Sequence, residues 1–141
     1  MQHPSHRGYD FGPLTEKIIG AAIEVHNTLG PGFQEVIYQR ALKLELAALG
    51  LDPEREVEIP VHYKGAKIGT RRVDFLIEDC MVEIKARSAF LDEDYVQALS
   101  YLKASGYRVG LLLNFGTKKL EIKRLANDRP THHPEEHGSA P

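Results

Sequence analysis

The chain of 141 residues contains a single cysteine, Cys80. One cysteine excludes an intrachain disulfide, a cysteine-ligated zinc site and a cysteine-held iron–sulfur cluster. It suits a reducing compartment. Long apolar runs are also missing: none approaches the roughly 20 residues that cross a bilayer. The opening MQHPSHRGYDFGP lacks the apolar stretch of a secretory signal. The expectation is a cytoplasmic protein with no membrane partner. Neither sign of charge dominates, and the net charge is −2. Arg7 and Asp10 cancel in residues 1–12, and Asp128, Arg129, Glu135 and Glu136 give −2 in residues 127–141. The middle of the chain is therefore near neutral, whereas proteins that coat nucleic acid nonspecifically are usually basic. Only Lys118, Lys119, Lys123 and Arg124 form a local basic cluster on this reading. A DNA-handling protein of this charge grips few phosphates or works as a homodimer. Repeats are absent, and so is a phosphate loop: LGPG at 29–32 has no following Lys-Ser/Thr.

What is present is ordinary for a globular domain, with 42% hydrophobic and 27% charged residues. The reading is a polar tail at 1–12, one domain at 13–126, and a disordered tail at 127–141. His132, His133 and His137 in the second tail are a weak metal cluster against a solvated segment. Leu14, Ile18, Ala21, Val25 and Leu29 recur at helical spacing up to Gly30 and Pro31. After Gly32, Tyr38, Leu42, Leu46 and Leu49 mark a second helix stopped by Gly50. EVEIPVHY alternates as a strand, Lys64-Gly65 turns, and strands follow over about 67–77 and 81–85. Asp92 is the expected N-cap of a third helix, with Glu93 and Asp94 in its first turn and Gly106 after its end. RVGLLLNF reads as a strand buried on both faces, and KKLEIKRL as a last alternating one. The order is ααβββαββ. The third helix is a crossover, so the strands on either side of it are expected to run parallel in a mixed sheet flanked by helices.

VDFLIEDCMVEIKA, residues 73–86, concentrates the chemistry. A two-residue turn at Asp79-Cys80 would pair Ile77 with Val82 and Asp74 with Lys85. Opposed residues share a face, so an even-length turn puts Val73, Phe75, Ile77, Val82 and Ile84 on one side. Asp74, Glu83 and Lys85 then gather on the other. One reading is a solvated face with a cross-strand ion pair. The other is two carboxylates holding a hard divalent cation, with a lysine beside the attacking water. Glu35 lies on the apolar stripe of the second helix, either as the N3 half of a capping box after Gly32 or as an inward-pointing acid. His26 reads as a satisfied core histidine or a metal ligand. Gln97 and Tyr101 stand four apart on the third helix, beside a core face of Tyr95, Ala98, Leu99 and Leu102.

LGPGFQEVIYQRAL with Gly32, Glu35 and Tyr38, then VDFLIED, VEIKA and QALSYLKASG, resembles the GxxExxY family within the PD-(D/E)XK nuclease-like superfamily. The resemblance spans about 14–125 and implies a restriction-endonuclease-like α/β core with a central mixed sheet. It also implies Asp74 as acidic metal ligand, Glu83 and Lys85 as the (D/E)-x-K pair, and Glu35 as the helix-borne acid. Gln97 and Tyr101 match a Q-x-x-x-Y element, and His26 an upstream histidine ligand. Val73 stands where the superfamily name has proline. The function so implied is a Mg²⁺- or Mn²⁺-dependent deoxyribonuclease. The metal would be held by Asp74, Glu83, the Ile84 carbonyl, Glu35 and His26, with Lys85, Gln97 and Tyr101 completing the catalytic set and DNA as partner. A non-catalytic nucleic-acid-binding or protein-interaction module on the same fold is the alternative. A small enzyme acting on a non-nucleic substrate is a third.

Overall fold

The computed structural model describes residues 12–131. The disorder expected of the tails, and His132, His133 and His137, fall on residues 1–11 and 132–141, outside the described residues. Eight elements follow in the anticipated order: α1 (Pro13–Leu29), α2 (Glu35–Ala48), β1 (Glu54–Tyr63), β2 (Ala66–Ile77), β3 (Cys80–Lys85), α3 (Asp92–Ser105), β4 (Val109–Asn114) and β5 (Glu121–Ala126).

Local chemistry explains most boundaries. Pro13 opens α1, where its missing N–H costs nothing. The loop to α2 is closed by Tyr38, which is fully buried. Its hydroxyl donates to the Gly30 carbonyl at 2.6 Å and accepts the Phe33 N–H at 3.1 Å, while its ring stacks on Phe115 with centroids 4.8 Å apart. Gly32 in that loop has φ +114°, a conformation that favours glycine. The N-cap of α2 is Gln34 and Glu35 is its first residue, so the capping box expected between Gly32 and Glu35 does not form. The Glu35 carboxylate is thereby left for other partners.

The five strands lie in the order β1-β2-β3-β4-β5. β3 and β4 are parallel, joined by the α3 crossover, and the other neighbours are antiparallel. Helices α1 and α2 cover one face, where Ile18, Tyr38 and Leu42 pack on Phe75, Val82, Ile84, Leu111 and Leu113. Helix α3 covers the other, where Ala98 and Leu102 meet Val73, Met81 and Leu112. β4 is buried along its whole length, as a strand with helices on both sides must be.

Four expectations are corrected. The turn between β2 and β3 is Glu78-Asp79, because Ile77 pairs with Cys80 and Phe75 with Val82. This register sets Asp74 opposite Glu83, not Lys85; the turn is still of even length. Val73 and Phe75 do not share a face, since Val73 packs under α3 and Phe75 under α1 and α2. A regular strand keeps i and i+2 together. Here β2 is turned over at Asp74, and opposite it Glu56 of β1 takes φ +54° and leaves the ladder between the Arg55–Phe75 and Val57–Val73 pairs. The inward face of α3 is Asp94, Ala98, Leu102 and Ser105, with Tyr95 40% exposed. The helix is rotated because Asp94 is drawn inward by cations from β3 and the loop after it. Its carboxylate also accepts the Leu91 N–H at 2.9 Å, so Asp94 and not Asp92 caps the helix. Finally, order continues past Ala126. Asn127 is buried and its side-chain amide donates to the Leu102 and Tyr107 carbonyls, and Thr131 N–H reaches the Gly106 carbonyl at 2.7 Å.

Candidate active site

The β2–β3 ladder ends at Phe75–Val82, although β3 runs on to Lys85. Beyond that point Ile84 N–H has lost its strand partner. The Asp74 carboxylate replaces it, accepting Ile84 N–H at 2.7 Å through Oδ2. Its other oxygen accepts from Gln39 Nε2 at 3.0 Å, and Gln39 in turn accepts from Arg55 at 3.2 Å. A residue's N–H and C=O point to the same side of an extended strand. The Ile84 carbonyl is therefore aimed at the same gap between the strands as the Asp74 carboxylate.

Glu83 lies on the α3 side of β3 and is only 8% exposed, so this face is not the solvated one of the simpler reading. Its carboxyl is hydrogen-bonded to that of Asp74. Burial first, and then the Asp74 charge, push Glu83 up to about 8. Asp74 is also raised, by burial, against the pull of the Ile84 N–H, the Glu83 hydrogen bond and the Lys85 charge. Two buried carboxyls in contact cannot both ionise cheaply, so the pair holds one proton between them.

Lys85 stands over this pair. Its charge acts on Asp74, Glu83 and Glu35 alike, and its Nζ lies 3.9 Å from Asp94 Oδ1. Asp94 is 1% exposed and also binds Arg87 Nε at 3.0 Å. Arg87 is fixed by the fully buried Asn114, whose Oδ1 accepts the Arg87 N–H and whose Nδ2 donates to the Arg87 carbonyl and to Glu121. Gly116 sits so close to this loop that a Cβ would strike the Arg87 backbone. Glu35 reaches in from the start of α2, towards the Ala86 backbone and within the fields of Lys85, Asp74 and Arg87. Burial raises its carboxyl, the lysine opposing.

The remaining sequence-derived residues are placed differently. Tyr101 turns its hydroxyl to Arg71 of β2, whose guanidinium lies 4.8 Å from the ring centroid. Gln97 is exposed on the same helix. His26 is buried at the end of α1, where its Nε2–H donates to the Thr117 carbonyl at 2.8 Å and its ring sits by Phe115. Cys80 is buried, and burial raises its thiol, which argues against a reactive role. A surface concavity of about 540 Å³ between Phe90, Tyr95, Val96 and Lys123 includes none of Glu35, Asp74 and Glu83.

Gln39, Asp94, Arg87 and Asn114 were missed by sequence reasoning. Gln39 had a signal, because it stands four residues after Glu35 on one helix flank. Asp94 had one too, four before the core residue Ala98. Arg87 and Asn114 had none, because their contact joins the ends of two parallel strands.

The oxygen donors Asp74, Glu83 and the Ile84 carbonyl suit a hard divalent cation that keeps several waters and needs only one or two carboxylates. Among the described residues no group of three or more His, Cys, Asp and Glu side chains is placed to cage an ion. No described helix is long and apolar enough to cross a membrane. The family model described as the PD-(D/E)XK nuclease superfamily matches residues 13–125. No curated protein and no solved structure matches the chain significantly.

Proposed function

This chain belongs to the PD-(D/E)XK nuclease superfamily, and on that premise we propose that it is a Mg²⁺- or Mn²⁺-dependent deoxyribonuclease that hydrolyses phosphodiester bonds. The observation that supports this most is the proton-sharing pair Asp74–Glu83 at the gap between β2 and β3, with Lys85 beside it. Two acids buried against each other raise each other's energy. A divalent cation in place of the shared proton would relieve that repulsion. Asp74, Glu83 and the Ile84 carbonyl would hold it, with Glu35 completing the shell through water. When bound, the metal supplies Lewis-acid polarisation of the phosphate and a more acidic water.

The chain's own groups divide the remaining work. Lys85 orients the attacking water and offsets charge on the phosphate. Asp94 is a positioning residue that holds the lysine from the α3 side. Gln39 fixes Asp74, Glu83's counterpart in the pair, from the α2 side. Tyr101 and Arg71, with Gln97 on the same exposed flank of α3, face the incoming strand. Water oxygen bonds to phosphorus and the P–O3′ bond breaks, leaving a 5′-phosphate and a 3′-hydroxyl that takes up a proton. Gly32, Glu35 and Tyr38 support a finer placement with the GxxExxY proteins. Tyr38 and Gly32 shape the loop that presents Glu35.

The test is cleavage of single- and double-stranded DNA with Mn²⁺ by the purified protein and by Asp74→Ala and Lys85→Ala. Loss of cleavage in both variants is expected. Cleavage that survives in either places the chemistry elsewhere. DNA binding without cleavage under any divalent ion leaves the non-catalytic module.

A further inference from the structure

The β1–β2 hairpin outgrows the domain. Every residue from Ala66 to Arg72 of β2 is exposed, as are Pro60, His62 and Tyr63 of β1. The hairpin closes on Lys64-Gly65, both with positive φ, in the tight turn that matches strand twist. Helix α3 packs on the root of this ribbon, through Ile59 against Ala98 and Leu102 and through Arg71 against Tyr101, and the residues beyond that root are exposed. An exposed two-stranded ribbon adds nothing to a core and is marginal alone, so its persistence calls for a ligand.

Charge identifies the ligand. Residues 60–72 contain Lys64, Lys67, Arg71 and Arg72 and no acid, in a chain of net −2. Sequence reasoning recognised only the Lys118–Arg124 cluster, because charge summed over the middle of the chain hides this segregation. Tyr63 and Ile68 add apolar surface at 60% and 66% exposure. Period-two alternation puts Lys67 and Arg71 on one face, and on the other Arg72 is paired with Glu56 at 3.9 Å. A narrow exposed ribbon with Lys64 at its tip and Lys67 along its length suits insertion between two phosphate rails. The major groove of B-form DNA admits a two-stranded ribbon, whereas the deep, narrow groove of an A-form duplex does not.

We propose that the β1–β2 hairpin is the arm by which this protein grips duplex DNA, entering the major groove with Lys64 and Lys67 on the phosphates. The arm and Asp74 share strand β2. The seven residue steps from Lys67 to Asp74 span roughly 23 Å at a strand's rise, about two-thirds of a duplex turn. A duplex held by the arm is thereby laid towards the carboxylate pair. The inference supplies the substrate class for the nuclease reading and rests on it for that link alone, since gripping needs no cleavage.

The experiment is fluorescence anisotropy of a labelled DNA duplex in EDTA across a salt series. Lys64→Glu/Lys67→Glu is expected to weaken binding at least tenfold at low salt and to flatten the salt slope by about two. Lys118→Glu/Lys119→Glu makes the same net charge change and should stay within threefold of the parent chain. Lys64→Arg/Lys67→Arg should bind like the parent. Equal losses in both glutamate pairs, no binding by the parent chain, or an RNA duplex held equally well through the arm would each overturn the proposal. So would loss of self-association, with DNA binding intact, in the arm variant. Arm-dependent binding with no cleavage under Mn²⁺ defeats the nuclease reading and keeps the arm. Cleavage with unchanged KM in the arm variant does the reverse.

Discussion

Glu83→Gln tests the central electrostatic claim without needing a substrate. In the folded chain the Glu83 carboxyl sits at about 8, against an ordinary value of 4.5. Between those values the native state holds a proton that the unfolded chain has released. Stability falls with rising pH wherever the unfolded state binds fewer protons. The loss therefore begins near pH 4.5 and is complete near pH 8. The shift sets a ceiling of about 5 kcal/mol, and relaxation and water entry reduce such penalties, so about 1–3 kcal/mol is expected. A glutamine keeps the shape and the donor to Asp74 but never ionises. Urea unfolding at pH 5 and pH 8 should show the parent chain losing stability while Glu83→Gln holds level, making the variant the more stable protein at pH 8. Titrating groups remote from the Asp74–Glu83 pair cancel in this comparison. Mn²⁺ at 100 times its Kd should restore about 2.7 kcal/mol to the parent at pH 8 and far less to the variant. A parent chain insensitive to pH over this window, or a variant with the same pH slope, would refute the proton-sharing pair.

Three further changes probe the supports of the site. Tyr38→Phe leaves the Gly30 carbonyl and Phe33 N–H without their shared partner, and should cost about 1–3 kcal/mol in urea unfolding with little change in the aromatic stack. Gly116→Ala drives a methyl into the Arg87 backbone, so a loss of about 1–3 kcal/mol and a lowered Tm are expected. Asp94→Asn keeps the cap on Leu91 but removes the charge that faces Lys85 and Arg87. Cleavage should fall about tenfold in kcat with KM near the parent value, the pH–rate profile should move, and Asp94→Glu should recover part of the rate. An equal loss in kcat and in folded fraction would reduce Asp94 to a structural role.

Much of this architecture was legible because it is local. The eight elements follow from apolar period, Gly30, Gly50 and Gly106 as stops, and the Lys64-Gly65 turn. The parallel β3–β4 pair follows from the single helix that joins them. Asp74, Glu83 and Lys85 do lie together, but through the open end of the β2–β3 ladder and not through turn parity, since β2 is turned over at Asp74. The overturning of β2 at Asp74 was not legible. It depends on Glu56 across the sheet taking a left-handed conformation, a cross-strand event with no signature in residue type.

The amino-acid sequence by itself determined the element order, the motif that assigns the superfamily, and which acids and lysine fall on neighbouring strand positions. Tertiary structure decided what those groups are to one another. It ended the β2–β3 ladder one residue short of Asp74, so that a carboxylate caps Ile84 and meets Glu83. It brought Asp94 under Lys85 by rotating α3, and exposed the basic hairpin that averaged charge concealed. The physical reason is range. Helix and strand preference act over a few residues, whereas burial, shared protons and field strength depend on which distant segments exclude water together.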